Sequence, residues 1–446
     1  MPTFPVRAED ALFLHVQTRQ QPQQVGAVVM LNGPAPDLAS LRSSVADRVR
    51  QLPQLRRRLI PARGRWDKPR WMVEDTIDVV RRVTEVTAAG DGTLTPLEQV
   101  VGRYFADPLD PAETAWQLLL VHLEPGTSSA IVVKAHHALG DSYALIATLS
   151  GLFDPVEARH PPRRAGSRAV TAWAAAVITM PRHALRVTRG IAGMALAEPP
   201  RPVGVNGAPA GDGREFAAIS LDFRTVTITA RRLGAGSADL LLALIAEALG
   251  GLMAGRGEPG AGRTVRAMVP CTLRAGHRGA PPGQTAADAG GNGVLPGNRT
   301  AGVLLDLPIG PMSLAERVAV VQEVRRARLR RGDADAAGFV LRVMNLLPPP
   351  LQRAIARTSF TSRRFNLIVS VFPGIRRTRH VLGAEVTAVF PVLALADGVG
   401  LALGAMTWGS SLSIGLIADP ALIPDAAPLV AGIQNAFMGR EQEAPG

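Results

Sequence analysis

Residues 131–142 read Ile131-Val132-Val133-Lys134-Ala135-His136-His137-Ala138-Leu139-Gly140-Asp141-Ser142. The β-branched start predicts a strand, and Leu118 to Leu123, set off by the turn-forming Glu124-Pro125-Gly126-Thr127-Ser128, predicts its partner in a β-hairpin. Two histidines therefore arrive at the C-terminal end of a strand. Asp141 then stands where a helix cap is wanted, ahead of the apolar segment Tyr143 to Leu149. Strand, histidine pair, tight loop, acidic cap and helix make a setting for a base, because neutral imidazole accepts a proton near pH 7. Asp141 has two roles open to it: orienting His137 directly, or fixing the loop from behind.

Working outward, the chain has 446 residues, enough to bury a large core and to divide into two domains. Its single cysteine, Cys271, excludes an intramolecular disulfide framework and a multi-cysteine metal site, and predicts a reducing compartment. The formal net charge is +12, carried almost wholly by arginine, with Lys68 and Lys134 the only lysines. That balance attracts the phosphates of nucleic acid, of an anionic membrane or of a phosphorylated cofactor, without choosing among them. Glu9 and Asp10 precede the short Ala11 to Val16 segment, so the opening does not read as a signal peptide. Ala238 to Ala254 comes nearest to a membrane span but carries Asp239 and Glu247. A cytoplasmic protein is expected, with any contact to the inner face of the membrane peripheral.

Along the chain, Ala8 to Val16 predicts a short helix, Gly26 to Leu31 a strand and Asp37 to Leu52 an amphipathic helix ended by Pro53. Arg56, Arg57, Arg58, Arg63, Arg65 and Arg70 interleave with Trp66 and Trp71, a combination that binds single-stranded nucleic acid where the rings are free. The plainer reading, a solvated strand edge whose tryptophans help cover a sheet, is the expectation here. Residues 94–106 read as a helix leading to the hairpin. Glu198 to Gly213, dense in proline and glycine, reads as a linker, giving a first domain of residues 1–197, a linker of 198–215 and a second domain of 216–446. In the second half, Ala238 to Ala254 predicts a buried helix, Thr264 to Leu273 a strand and Gly276 to Gly297 a kinked loop. Ser313-Leu314-Ala315-Glu316 is a capping box opening a long helix, whose terminal Arg325 to Arg331 cluster suits the helix dipole. Pro348 to Pro350 break the next helix, and four strands follow: Asn366 to Val371, Ala384 to Val389, Gly400 to Thr407 and Leu412 to Ala418.

Two rival chemistries bear on the histidine pair. Adjacent histidines on a strand point to opposite faces, so His136 and His137 do not ligate one ion, and no metal site is expected. Gly140-Asp141-Ser142-Tyr143-Ala144 approximates the nucleophile elbow of a hydrolase, with Ser142 as nucleophile. Against it, Ala144 replaces the final glycine, and of the downstream histidines only His380, in an arginine-rich turn, is suitably placed to complete a triad.

His136-His137-Ala138-Leu139-Gly140-Asp141 resembles the HHxxxDG motif of the bacterial wax ester synthase/diacylglycerol acyltransferase family, itself similar to condensation domains and chloramphenicol acetyltransferase. The likeness runs nearly end to end. It includes Glu9 to Leu14, Val25-Gly26-Ala27, Pro108-Leu109-Asp110 with Trp116, Val269 to Arg274, Gly297-Asn298-Arg299, Asn366 to Gly374 and Leu395-Ala396-Asp397-Gly398. The resemblance implies an α/β fold of two chloramphenicol-acetyltransferase-like domains, each a mixed sheet flanked by helices, with a channel between them. It implies an O-acyltransferase in which His137 is the general base, while His136 and Asp141 hold the loop. Fatty acyl-CoA is the implied co-substrate, with no further cofactor, and a long-chain alcohol or diacylglycerol is the implied hydroxyl acceptor. The positive charge then suits CoA phosphates first and a membrane or lipid-droplet surface second, with nucleic acid not expected as a partner.

Some positions depart from the family pattern. Ser142 replaces the motif's glycine, Asp239 survives from an Asn-Asp pair whose first member is Ala238, and Val371, Ala402 and Ile375 stand where polar residues or proline are expected. Ser142, Asp239, Asn298 and Arg299 are the expected channel residues. Two further readings follow from the departures: an enzyme diverged toward a hydroxyl of a specialised metabolite, or a lipid-binding protein whose site has decayed.

Overall fold

The computed structural model describes residues 2–88, 93–124, 128–140, 151, 184–209, 213–258, 262–272, 298, 300–375 and 378–438. Asp141, Ser142 and Arg299, together with the expected loop of 276–297, lie outside the described residues.

The hairpin forms as its sequence predicts. Trp116–Glu124 runs antiparallel to Ser128–His136, with Trp116 opposite Ala135. Every residue of the second strand after Ser128 is buried, which is why it reads as a nearly continuous apolar run rather than an alternating one. These two strands sit in a six-stranded sheet ordered His380–Val381, Ala384–Val392, Gln24–Asn32, Ser128–His136, Trp116–Glu124, Val83–Thr87. Only its last pair is parallel. A second six-stranded sheet is ordered Thr300–Pro308, Thr264–Thr272, Leu367–Ile375, Leu401–Trp408, Ser411–Ala418, Glu215–Asp222. Here Leu367–Ile375 is parallel to both neighbours, so both sheets are mixed, as the α/β reading requires.

Gly26 fits a place that no other residue can. A Cβ there would lie 1.7 Å from the Val133 carbonyl oxygen, on the strand that delivers the histidines. Beside it, Lys134 is wholly buried and donates from Nζ to the carbonyls of Tyr104 (2.8 Å) and Asp107 (3.0 Å). Gln24 Nε2 donates to those of Phe105 and Asp107. The carbonyls left over at the end of the helix Thr95–Ala106 are thus taken by two sheet residues. Burial pushes the Lys134 ammonium down to about 8, so this cap carries a desolvated charge.

The helix Ser237–Gly255 is long and apolar enough to cross a bilayer by length and composition, yet 67% of that window is buried inside the fold. It packs on the helices Leu314–Arg331 and Ala427–Met438 and against the second sheet. Leu240, Leu241, Leu242, Leu244, Ile245 and Leu249 are all buried, each favoring the packed state by about 1.5–3 kcal/mol. Its two acids pair with the neighbouring helix: Asp239 with Arg325 at 2.7 Å and Glu247 with Arg317 at 3.8 Å. Acids and arginines eight positions apart on each helix match because the helices run antiparallel.

The sheets do not follow the boundary expected at residue 216. His380–Val381 and Ala384–Val392, from the second half, pair into the first sheet, with Val392 opposite Gly26. The segment expected to link the halves is stitched into both: Arg214 donates to the Gln20 carbonyl of the first, and, among the described residues, the contacts to the second are more numerous. Val205 is fully buried, and Asn206 donates to the Asn366 and Gly398 carbonyls. Proline and glycine here shape a built-in strap, since its polar groups find fixed partners. The basic patch also divides. Trp71 is buried in a small sheet of Thr3–Pro5, Arg70–Val73 and Arg57–Ile60, as expected, whereas Trp66 is 61% exposed and covers no sheet. The prolines at 348–350 end one helix and start another: Pro349 opens Pro349–Ser359 at the position where a missing N–H does no harm.

Candidate active site

The strand Ser128–His136 ends on the histidine pair, and His137 begins a 3-10 turn, His137–Leu139. The two rings have different partners, both on the helix Ala8–Val16 and its C-cap Gln17. His136 is buried, accepts the Ala138 N–H at Nδ1 (3.1 Å) and bonds through Nε2 to the Gln17 side-chain oxygen. An acceptor at Nδ1 fixes the proton on Nε2, so the ring is neutral and both nitrogens are engaged. Burial, with His137 alongside, pushes its pKa down to about 3. His136 is a structural cap of the turn and is not available to a metal or to a substrate proton.

His137 is half-buried. Its N–H donates to the Gln23 carbonyl at 2.8 Å, and its ring stacks on Phe13 with centroids 3.6 Å apart and planes 6° from parallel. Phe13 is in turn held edge-on by Phe360. Proton transfer takes place in the plane of an imidazole, so a phenyl on its face restrains rotation and leaves the edge free of that contact. Gln23 is itself buried and donates to the Leu395 carbonyl (2.9 Å), while Gln21 donates to that of Ala396 (2.8 Å). A turn of the first half is thereby tied to the Leu395-Ala396 segment of the second.

Asn298 joins the site from the second half. Its Nδ2 donates to the His137 carbonyl (3.0 Å) and to Asp10 Oδ1 (2.7 Å), and its N–H also reaches Asp10 Oδ1 (2.7 Å). Of the expected residues, His136, His137 and Asn298 are therefore brought together. Asp239 goes elsewhere: it is buried at the start of Ser237–Gly255, held by Arg325 and by the Gly236 N–H, a structural pair at a helix end. Asp10, Phe13, Gln17 and Gln23 complete the surroundings of the pair, and no role was expected of them. Their signal lay in the short helix Ala8–Val16, where Asp10 and Phe13 stand three apart and so share a face.

Cys271 is half-buried with its thiol pushed up by burial, the wrong direction for a nucleophile. Where the halves meet, a cleft of about 680 Å³ is lined by residues such as Arg19, Glu98 and Arg103 on one side and Glu215, Phe216 and Asp425 on the other. The histidines are not among its lining residues.

The pair of mixed sheets with a histidine turn at their junction is a fold shared with solved acyltransferase and condensation-domain structures. The wax ester synthase/diacylglycerol acyltransferase from Marinobacter aquaeolei VT8 superposes with a TM-score of 0.68 at 19% identity, covering 99% of each chain. The first condensation domain of the calcium-dependent antibiotic synthetase does so at 0.63 and 16%, covering 98% of this chain and 96% of that one. Residues 6–241 match the wax ester synthase/diacylglycerol acyltransferase catalytic domain, and residues 296–439 the WS/DGAT C-terminal domain. The chain belongs to the wax ester synthase/diacylglycerol acyltransferase family and is an O-acyltransferase. A Mycobacterium tuberculosis relative named "Probable diacyglycerol O-acyltransferase tgs1" is 24% identical over 452 residues, 96% of this chain and 93% of its own. A second protein of that organism, also named as a diacylglycerol O-acyltransferase, is 27% identical over 464 residues, 94% of this chain and 87% of its own.

Proposed function

We propose that this enzyme transfers a fatty acyl group from acyl-CoA to the hydroxyl of a long-chain alcohol or diacylglycerol, with His137 as general base. The observation that carries the reading is the state of His137: half-buried at the end of a strand, braced on one face by Phe13, beside a histidine that is locked neutral. As the hydroxyl oxygen attacks the thioester carbonyl, its proton passes to the imidazole. The tetrahedral intermediate then collapses, the carbon–sulfur bond breaks and the CoA thiolate recovers that proton. Such a base supplies on the order of 10²–10⁴ in rate. The remainder comes from holding the two substrates close. A starter condensation domain of rhizomide synthetase, which shares this fold with a TM-score of 0.62, is solved in complex with C8-CoA, which supports an acyl-CoA donor here.

Purified protein mixed with acyl-CoAs of several chain lengths and a panel of alcohols and diacylglycerols is expected to release free thiol only when an acceptor is present, with ester formed in equal amount. Thiol released without acceptor would mark thioester hydrolysis and count against the reading.

Peripheral contact with a membrane is part of the proposal. Trp66 is 61% and Leu346 84% exposed, and Lys68 Nζ donates to the Asn345 carbonyl, joining the loop of the one to the turn of the other. Arg65 lies over the Trp66 ring, so cations and apolar groups share one surface, the combination that suits an anionic bilayer. In a sedimentation assay with phosphatidylserine-containing vesicles, Trp66→Ala with Leu346→Ala is expected to weaken binding at least about tenfold, given roughly 1.5–3 kcal/mol per large apolar side chain. Unchanged binding would remove this surface from consideration.

A further inference from the structure

Asp10 is a carboxylate that the proton-transfer scheme does not use, yet it is only 4% exposed and lies next to the site. Its Oδ1 accepts two hydrogen bonds from Asn298, from the backbone N–H and from Nδ2, each at 2.7 Å. The same Nδ2 donates to the His137 carbonyl at 3.0 Å. Three residues further along the same helix, Phe13 lies flat on the His137 ring. One short helix therefore reaches residue 137 twice, at the backbone through Asn298 and at the ring directly.

That helix is itself held in register from outside. Its N-terminus has no cap from its own preceding side chain. Instead Asn345 Oδ1 accepts the Ala8 N–H and Asn345 Nδ2 donates to Glu9 Oε2, both at 2.8 Å. Asp10 and Phe13 are thus fixed before they act on their neighbours. A carboxylate oxygen also suits the task chemically, since it accepts two N–H groups at once and forms stronger bonds than a neutral acceptor.

We propose that Asp10 is a positioning residue for acyl transfer: by gripping Asn298 it fixes the carbonyl of His137, and with it the direction in which the Phe13-braced imidazole presents its edge to the acceptor hydroxyl. The proposal rests on the reading of His137 as general base. Burial, opposed chiefly by the two hydrogen bonds from Asn298, pushes the Asp10 carboxyl up to about 6, so at neutral pH the accepting form still predominates.

The test compares steady-state thiol release by His137→Ala, Asp10→Ala, Asp10→Asn, Asn298→Ala and the Asp10→Ala/Asn298→Ala pair. Loss of fine alignment lowers turnover without weakening substrate binding, so Asp10→Ala is expected to reduce kcat about 10–100-fold, with KM for donor and acceptor changed less than about threefold. Asp10→Asn keeps an accepting oxygen and is expected to return kcat to within about fivefold of the unaltered enzyme. The double variant is expected to be no slower than Asn298→Ala alone, because both changes break one chain of contacts. Unchanged kcat in Asp10→Ala, no recovery in Asp10→Asn, or losses that multiply in the double variant would each overturn the positioning role. If Asp10→Ala does not fold, Asn298→Ala carries the test: a fall in kcat at constant KM supports the role, and unchanged kcat overturns it. A His137→Ala enzyme with undiminished turnover would instead remove the base assignment, and the positioning role with it. That outcome is distinct from an inactive His137→Ala beside a fully active Asp10→Ala, which overturns the positioning role alone.

Discussion

His137→Ala is expected to lower kcat by about 10²–10⁴ and to leave KM for acyl-CoA within a few fold, because a general base acts in the transition state and contributes little to binding the ground state. His136 cannot take over. Its ring is neutral, with one nitrogen holding the Ala138 N–H and the other bonded to Gln17, and its pKa of about 3 makes it a poor proton acceptor at pH 7. Cys271 does not offer a covalent route, since burial keeps its thiol protonated. Thiol release measured at saturating substrates, alongside the melting temperature, separates lost chemistry from lost folding. A variant that folds and still turns over at more than about a tenth of the original rate would end the assignment. Ser142→Ala is the matching control: turnover that survives it speaks against a hydrolase-type nucleophile, and ester cleavage that depends on Ser142 but not on His137 speaks for one.

Arg325→Ala is expected to destabilise the fold by about 1–3 kcal/mol, less than for a fully buried pair because the arginine is partly exposed and Asp239 keeps the Gly236 N–H. The asymmetry of the pair sharpens the expectation. The Asp239 side chain is 1% exposed and that of Arg325 41%, so removing the arginine strands a charge that water cannot reach. Removing the acid leaves an arginine that can turn to solvent, and Asp239→Asn is expected to be the milder change. Chemical denaturation of the two variants checks the order, and an Arg325→Ala protein as stable as Asp239→Asn would contradict it. Activity in either case should follow the folded fraction, because the pair braces two helices and does not meet the histidine turn.

What could be read from the sequence was whatever local chemistry decides. The β-branched Ile131-Val132-Val133 and the turn before it were enough for the hairpin, and the capping box at Ser313 was enough for the start of a long helix, whose Ser313 and Glu316 do bond reciprocally. The arginines at that helix's end needed no ligand, and they meet Asp239, Asp306 and Asp333. Long-range pairing was illegible. Nothing in Ala384–Val392 announces that it belongs beside Gln24–Asn32, since an apolar strand satisfies either sheet equally well on local grounds. The same blindness applied to the site. His137 was evident from its neighbours in the chain, whereas Asp10 and Phe13 act across more than a hundred residues, and an aspartate in a first helical turn reads most simply as a favourable partner of the helix dipole. Asp239 was expected in the channel only as the surviving member of an Asn-Asp pair, and its partners, Arg325 on the neighbouring helix and the Gly236 N–H, are not visible in that motif.

The crossing of Ala384–Val392 into the first sheet has a consequence for biosynthesis. On the ribosome, Gln24–Asn32 emerges early and must keep one edge bare until Val392 leaves the exit tunnel, an interval on the order of tens of seconds at about 5–20 residues per second. A nascent chain truncated between those points carries an apolar strand with open hydrogen-bonding groups, the kind of surface that holdase chaperones shield and that otherwise seeds insoluble material. Expression of the N-terminal portion alone is accordingly the wrong route to a minimal catalyst, however completely it contains the histidine motif.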